Sequence, residues 1–340
     1  MFASGLARLP EDSAGRFLQL ATICHSRRLA NPDRLCNRIS GQLRHFDRKS
    51  AAFNRETLVG DLCALYSLCD HIEKEGGTPA TVGVFRDTYQ PVGSMEIWGL
   101  GAYGWHSTGG YTGVTTLFFS LKQNRILRFT AAMPNSVSPG ADKLYNSGAP
   151  WGMNIKLSSL SHSRVSIKGA KLNASGQLSS TESCNAEALS NVDINNPVLA
   201  KLRFEDFRLL ADALWVHLES QNEGTGTILT VLITPDRLDK GTFDRVSQTF
   251  HMPLYDREGR NLNISVKFQE STRLLLTNLA LLDNEFETWG YGMFLVNVYI
   301  DNGKLTAFPI THFGRKIRNL SLDAEAVNNK GNHKFDWDLL

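Results

Sequence analysis

Cys63, Cys69 and His71 lie close together in the sequence and are residue types that bind zinc. A structural zinc site needs four ligands, usually supplied as two close pairs. On a helix, Cys63 and Cys69 would be separated by about 240° around the axis, so they would not share a face. The spacing therefore predicts cysteines in a helical core, and it predicts no metal or other cofactor.

A second motif with chemical meaning is Gly99-Leu100-Gly101-Ala102-Tyr103-Gly104, which matches the G-x-G-x-x-G pattern of dinucleotide sites. That fingerprint requires a helix starting at the loop and an acid about 20 residues later. The sequence that follows is rich in glycine and threonine, and no acid occurs before Asp142. We therefore interpret the glycines as a tight β-turn with aromatic packing.

Signatures of nucleophilic, metalloprotease or kinase chemistry are missing from the sequence, which has no G-x-S-x-G, H-E-x-x-H or Walker A pattern. His106, in the loop rich in glycine and aromatic residues, is the histidine best placed for catalysis. An enzyme centred on His106 is our third hypothesis, and we expect a protein that is not an enzyme.

The strongest binding feature is the segment 97–141, which is 45 residues long and contains no Asp or Glu. Bases stack on exposed aromatic rings and cations follow phosphates, so this composition is typical of a single-stranded nucleic-acid surface. The same rings could instead fill a small β core. The candidate binding residues are Trp98, Tyr103, Trp105, His106, Tyr111, Lys122, Arg125 and Arg128.

Part of the chain resembles the region downstream of the zinc finger in bacterial SWIM zinc-finger proteins. The resemblance covers about residues 95–185 and rests on four stretches: Trp-Gly-Leu-Gly-Ala-Tyr-Gly-Trp from Trp98, Gly-Tyr-Thr-Gly from Gly110, Arg-Phe-Thr-Ala-Ala-Met-Pro from Arg128, and Val-Ser-Ile-Lys-Gly-Ala-Lys-Leu-Asn-Ala-Ser-Gly-Gln-Leu-Ser from Val165. The family's finger is Cys-x-Cys, a spacer and Cys-x-His. Only Cys69-Asp70-His71 matches half of it, so the finger is incomplete and no zinc ligand is carried over.

The resemblance implies a partner class. Family members are often encoded beside a MoxR-type AAA+ ATPase and a von Willebrand A-domain protein, and the finger implies binding of DNA or protein. From this we expect an adaptor or scaffold in an ATPase-containing complex. A single-stranded nucleic-acid-binding β module is the alternative.

Composition sets broad limits on the class of protein. The formal net charge is only +2, although residues 1–50 carry a local +5 from nine basic and four acidic residues. Such a basic helical end can contact phosphate or an acidic partner, or be a solvated face. No apolar run reaches the roughly 18 residues of a membrane span, and the N-terminus is charged where a signal peptide is apolar. Together with an odd number of dispersed cysteines, this predicts a cytoplasmic protein without membrane contact.

The element pattern predicts helices over residues 14–75, with a break at Asn31-Pro32-Asp33 and an end at Gly76-Gly77. Strands are predicted over 81–85, 95–98, 115–121 and 126–131, with Lys122-Gln123-Asn124 as a turn. A loop or linker is expected over 135–160.

Further on, the pattern predicts a strand pair over 163–183, a helix over 201–220, and hairpins around 256–260 and 301–303. We expect an α+β protein with a helical N-terminal region followed by two β-rich modules, built as small curled sheets or OB-like barrels. The expected divisions are a helical region at 1–78, an aromatic and glycine-rich β module at 79–150, an α+β module at 151–313 and a polar tail at 314–340, with 328–334 mobile.

Overall fold

The computed structural model describes residues 5–10, 12–50, 53–83, 85, 88–107, 109–138, 140–181, 183–220, 228–284, 292–301 and 303–324. The chain divides into two compact units, Met1–Asp87 with Val216–Thr227, and Thr88–Trp215 with Ile228–Leu340. None of the described helices is long and apolar enough to cross a membrane.

The first unit is helical, as predicted. It contains α1 (Ser13–Ser26), α2 (Ala30–Asp47), α3 (Arg55–Glu75) and the single turn α4 (Pro79–Val82). Its core joins Ala14, Ile39, Leu43 and Leu58. Pro32 lies in the first turn of α2, where a missing N–H is tolerated, so the break falls a few residues earlier than predicted.

Capping fixes the two ends of α3. The Asn54 side chain accepts a hydrogen bond from Thr57 N at 2.9 Å, and Gly76 ends the helix at φ 83°, which confirms the predicted stop. The strand predicted over 81–85 is wrong because Thr81 lies in α4. There the Thr78 hydroxyl accepts from Thr81 N at 3.2 Å and so caps the start of this short helix.

The second unit begins with a five-stranded antiparallel sheet. Its strands are β1 (Gln90–His106), β2 (Tyr111–Ser120), β3 (Arg125–Pro134), β4 (Ser163–Leu172) and β5 (Asn185–Asn191), in the order β3-β2-β1-β4-β5. The predicted turn at 122–124 joins β2 to β3, with Asn124 at φ 53°. On the outer side of β3, Arg128 N donates to Gly176 O and Arg128 O accepts from Leu178 N. The 176–178 segment therefore covers part of the sheet edge.

Both faces of this sheet are packed. One face lies under the β3–β4 connection, which contains α5 (Ala141–Tyr145), the buried Trp151 and α6 (Leu157–Leu160). Because this connection packs on the sheet and β4 pairs with β1, the linker and domain boundary expected near residue 150 lie inside one compact unit.

A nine-stranded sheet completes the second unit. Its strands are β6 (Arg203–Phe204), β7 (Leu229–Ile233), β8 (Arg237–Leu238), β9 (Thr242–Asp244), β10 (Thr249–Tyr255), β11 (Asn261–Lys267), β12 (Met293–Asp301), β13 (Lys304–Phe313) and β14 (Ile317–Asn319). The main path runs β6-β7-β12-β13-β11-β10-β8, while β14 pairs with β13 and β9 with β10. Both predicted hairpins, β10–β11 and β12–β13, are confirmed.

The α+β class with its helical N-terminal region and two sheets is confirmed. In the described residues neither sheet closes, so the OB-like barrel option is wrong. Helix α7 (Phe207–Ser220) starts later than predicted because Asp256 and Asp206 accept the N–H groups of its first turn. Helix α8 (Arg273–Asn284) precedes β12. The expected tail begins with ordered structure, since β14 and the residues to 324 are described. Residues 328–334 lie outside the described part.

The two sheets share one core. Trp98, Leu100 and Phe119 of the five-stranded sheet pack with Leu295 and Ile310 of the nine-stranded sheet. The alternation along β1 and β2 places one set of side chains against the β3–β4 connection and the other against this shared core.

Candidate functional site

The predicted basic and aromatic residues separate along the strands. Tyr111 pairs with Pro134 at one end of the β2–β3 hairpin, while Ser120 pairs with Arg125 at the other. Nine residue steps place these ends about 30 Å apart. The sequence segment that looks like one mixed surface therefore has Tyr111 at one end of the hairpin and Lys122 and Arg125 at the other.

The three basic residues bind carbonyl groups of their own chain. Lys122 Nζ donates to Val92 O at 2.7 Å and to Ser94 O at 3.2 Å. The guanidinium groups of Arg125 and Arg128 donate to carbonyls of the 173–176 turn at 3.2 and 3.1 Å. All three side chains are exposed, but each of them also ties its strand or turn to a neighbouring segment.

Trp98 is a core residue. Only 4% of it is exposed, and its indole N–H donates to Glu96 Oε1 at 2.6 Å. Arg164 bonds to the same carboxylate oxygen at 2.8 Å and lies 4.9 Å from the Trp98 ring centroid. Because Trp98 is buried and Arg164 lies over its ring, the ring has no free surface on which a base could stack. We therefore remove Trp98 from the predicted binding residues.

Three other predicted aromatics stand on one face of the sheet, which we call the aromatic face: Tyr103, Trp105 and Tyr111. Tyr103 pairs with Thr115 and Trp105 with Gly113, and alternation puts Tyr111 on the same side of β2. The Trp105 indole N–H donates to Thr115 Oγ1 at 3.0 Å, on the same face. Tyr111 is 47% exposed, so the aromatic face is reachable at its end.

Gly113 explains how the Trp105 ring lies on the sheet. A Cβ atom built at Gly113 would overlap the six-membered part of the Trp105 ring. A glycine in a strand often marks such a close approach. The pair of residues therefore fixes Trp105 flat over β2, next to Tyr111.

Arg128 and His106 occupy opposite faces. Arg128 pairs with Leu117, a residue of the shared core, so its side chain is on the aromatic face. His106 follows Trp105 and therefore points to the other side. His106 is exposed, and among the described residues no acid, hydroxyl or thiol is hydrogen-bonded to its ring.

The sequence predicts a tight turn at the glycine motif, and this prediction is wrong. The motif is part of the long strand β1, with a β-bulge between Gly99 and Gly101. Each of its glycines allows another segment to approach. A Cβ at Gly99 would meet the Ser161 carbonyl at 2.7 Å, and one at Gly101 would overlap Thr311 Oγ1. At Gly104 it would press on Leu322 at 3.0 Å. The spacing that mimics a nucleotide motif is therefore a packing pattern.

Next to these glycines lies a buried polar cluster centred on Asn319, which the sequence did not indicate. The amide of this fully buried residue joins β1, β13, α5 and the end of α6. Its Nδ2 faces Tyr145 Oη, Ser161 Oγ and His162 Nε2 at 2.5, 3.1 and 3.1 Å, and its Oδ1 accepts from Ala102 N and Thr311 Oγ1 at 2.8 Å each.

Burial dominates the electrostatics of this cluster. It lowers the pKa of His162 to about 4. Burial, followed by the charge of Asp323, raises the pKa of Tyr145 to about 12, and burial also raises the pKa of Asp323. Such groups can do acid–base chemistry when a substrate reaches them. Here they are bonded to one another inside the core, so the cluster serves to join the elements of the second unit.

Cys63, Cys69 and His71, the residue types that suggested zinc, all lie in α3. Cys63 and Cys69 are both exposed, and His71 Nδ1 lies 3.6 Å from Glu75 Oε1. Among the described residues no three His, Cys, Asp or Glu side chains are arranged to hold a metal ion.

Comparison with known proteins adds no family to this geometry. A scan against models of protein families finds no match, and a search of curated proteins finds none. The SWIM resemblance therefore stays a prediction that rests on the four stretches quoted for it. These stretches run along β1 to β4 of the five-stranded sheet and its 173–178 turn.

Proposed function

We propose that this protein is a non-catalytic adaptor that docks a partner protein on its aromatic face. The observation that carries the proposal is the alignment of Tyr103, Trp105 and Tyr111 on one side of the sheet, with Tyr111 47% exposed and Arg128 on the same side. Aromatic residues and arginine are enriched in protein interfaces, and a few such residues carry most of the binding energy.

The distribution of charge favours a protein partner over a nucleic acid. A strand of nucleic acid needs several cations that follow its phosphates. Arg128 is on the aromatic face, but Lys122 and Arg125 lie at the far end of the hairpin. Arg164 also lies on this face, over the Trp98 ring, but it is paired with Glu96. A face with several aromatics and few cations fits a protein surface better.

The nature of the partner comes from the family resemblance. We propose that the aromatic face binds a MoxR-type AAA+ ATPase or a von Willebrand A-domain protein, and that the complex works in the cytoplasm. The acid–base cluster around Asn319 fits this proposal, because its groups are bonded to one another inside the core.

The test is a binding titration of the full chain against the ATPase and the A-domain protein encoded nearest to its gene. Tyr111→Ala should weaken binding by tenfold or more, which corresponds to at least about 1.4 kcal/mol. Tyr66→Ala is the matched control, since Tyr66 is 73% exposed on α3 of the other unit. Equal affinities for the two variants, or no binding to either candidate partner, would contradict the proposal.

A single-stranded nucleic acid is the second candidate, favoured by the aromatic rings on a sheet face within an acid-free segment. Fluorescence of the six tryptophans, with added oligonucleotide at low salt, distinguishes the candidates. Quenching that Arg128→Ala weakens, together with a smaller salt dependence by about one unit of slope, would favour the nucleic acid. An unchanged spectrum would leave the protein partner as the explanation of the aromatic face.

A further inference from the structure

One part of β3 has backbone groups that point out of the five-stranded sheet. Arg128 N donates to Gly176 O and Arg128 O accepts from Leu178 N, so the backbone of Arg128 faces away from β2. In an antiparallel strand every second residue has this orientation, so the N–H and C=O of Thr130 and Ala132 also point outward. Within the described part of the chain these four groups make no hydrogen bond. They are therefore available to a further strand.

The open stretch of this edge is short. On one side the 176–178 segment occupies Arg128, and on the other Pro134 has no N–H that could bond an added strand. Ala132 and Met133 between them are exposed, which leaves room beside the stretch. Only two outward residues remain, and this suits a short extended segment of another protein better than the full-length strand of a second copy.

The open stretch is continuous with the aromatic face. Ala132 pairs with Gly113, on which the Trp105 ring lies, so this row of the sheet ends in two small residues at the edge. Thr130 pairs with Thr115, and their hydroxyl oxygens are 3.0 Å apart. A strand added about 4.8 Å from β3 would place every second side chain on the aromatic face. A large apolar side chain opposite Ala132 would lie over the alanine and reach the Trp105 ring.

The charges around the stretch favour an acidic segment over a basic one. No Asp or Glu occurs between residues 97 and 141, and Arg128 stands two residues from Thr130 on the same face. The Arg128 side chain is exposed and donates to Ser175 O at 3.1 Å. A guanidinium has five N–H donors, so Arg128 can also bond a carboxylate on a neighbouring strand.

We propose that the partner adds a short extended segment to the edge of β3 at residues 130–132, with a large apolar side chain over Ala132 and a carboxylate near Arg128. This inference rests on the proposed function, because the same partner would cover the aromatic face. The added segment supplies backbone hydrogen bonds for affinity, and its alternate side chains supply specificity.

The probe is the acetylated and amidated peptide Thr-Asp-Val-Phe-Val-Asp-Thr, whose two acids and aromatic ring fall on one face of a strand. Amide hydrogen exchange of the full chain is followed by NMR at single residues. Without peptide, the amides of Thr130 and Ala132 should exchange about tenfold faster than those of Ala131 and Met133, whose N–H groups face β2. With saturating peptide, the exchange of Thr130 and Ala132 should slow by about tenfold or more.

The variant Ala132→Pro tests the backbone pairing directly. It removes an outward N–H but no hydrogen bond to β2, and proline is found at such edge positions. It should weaken peptide binding by about tenfold or more in the same titration. Ala132→Ser keeps the N–H and a small side chain, so it should bind the peptide as the unchanged chain does. The peptide Thr-Lys-Val-Phe-Val-Lys-Thr is the matched control for charge and should bind more weakly.

Three results would overturn the inference. One is slow exchange of Thr130 and Ala132 in the free chain, and slowing that increases with protein concentration would identify a second copy as the occupant of the edge. Another is equal binding of the peptide by the unchanged chain and Ala132→Pro. The third is unchanged exchange of both amides at the highest soluble peptide concentration. The exchange measurements need no variant, so a folding defect of Ala132→Pro does not affect them.

Failure of this inference is distinguishable from failure of the proposed function. If Tyr111→Ala weakens binding of the ATPase or the A-domain protein while Ala132→Pro does not, the aromatic face docks the partner and the strand addition is wrong. If neither protein binds but the peptide slows exchange at Thr130 and Ala132, the strand addition is supported and the proposed partners are wrong.

Discussion

At the scale of single residues, buried polar groups join segments that are distant in the sequence. Asn319 uses both ends of its amide to bind five groups from other segments. His162 Nε2 is one of these groups, while His162 Nδ1 is buried without a hydrogen-bond partner among the described residues. A neutral imidazole tolerates this position far better than an imidazolium, which is why burial lowers its pKa.

The lowered pKa of His162 predicts a pH dependence of stability. Between its ordinary pKa of 6.5 and its folded value of about 4, the unfolded chain binds a proton that the folded chain does not. The contribution of His162 to the free energy of unfolding is therefore fully present above pH 6.5. It is lost as the pH falls toward 4, and the loss is about 3 kcal/mol for this one group. Denaturant titrations at several pH values measure the effect.

The controls for this prediction are two histidine variants. His162→Gln should reduce the loss of stability between pH 6.5 and 4, and His312 should supply what remains, because burial and then Arg318 lower its pKa to about 4 as well. His106→Gln, at an exposed ring outside the core, is the control for the substitution itself. A profile that His162→Gln does not change would contradict our assignment.

At the scale of elements, β1 is the strand that contacts most of the other parts of the second unit. It pairs on both sides, with β2 and β4, and its glycines admit Ser161, Thr311 and Leu322. Gly101 has φ 151°, a conformation that only glycine adopts readily. Because these glycines lack a Cβ atom, the neighbouring segments can approach β1 more closely than a larger side chain would permit.

We expect Gly101→Ala to destabilise the protein by about 2–4 kcal/mol, because the new methyl group overlaps Thr311 and the backbone is strained. Gly148→Ala is the matched control, since a Cβ atom there meets nothing within 4 Å and its φ is not positive. The free energy of unfolding in urea measures both. Equal stability of the two variants would show that β1 can shift to accept the methyl group.

The elements also show which parts of the fold can be predicted from the sequence. Local patterns predicted the helices, the turn at 122–124 and both hairpins, because these depend on neighbours in the chain. The glycine motif was misassigned because what Gly99 and Gly101 make room for, Ser161 and Thr311, is distant in sequence. The same reason hides the Asn319 cluster, whose members are separated by up to 217 residues.

The aromatic set was predicted only in part. Alternation could have placed Tyr103 and Trp105 on one side of a strand, had the motif been recognised as a strand. Local sequence does not reveal the burial of Trp98, because residues of the nine-stranded sheet cover it in the middle of β1. The separation of Tyr111 from Lys122 and Arg125 follows from the length of β2 once its two ends are known.

At the scale of the whole second unit, the two sheets behave as one body, because residues of both fill the same core and Asn319 of β14 bonds to β1. We expect the amides of Trp98 in β1 and Ile310 in β13 to exchange hydrogen through the same global opening. Native-state hydrogen exchange gives the free energy of each opening. Values that differ by more than about 2 kcal/mol would mean that the sheets open separately.

The short pairing between Arg128 and the 176–178 segment has a consequence for solubility. An outermost strand with a free row of N–H and C=O groups is a template on which further copies of a chain can add strands and grow into aggregates. Gly176 O and Leu178 N are hydrogen-bonded to the backbone N–H and C=O of Arg128, so they interrupt that row in the middle of β3. The 173–178 segment therefore protects this edge of the sheet against strand addition by another copy of the chain.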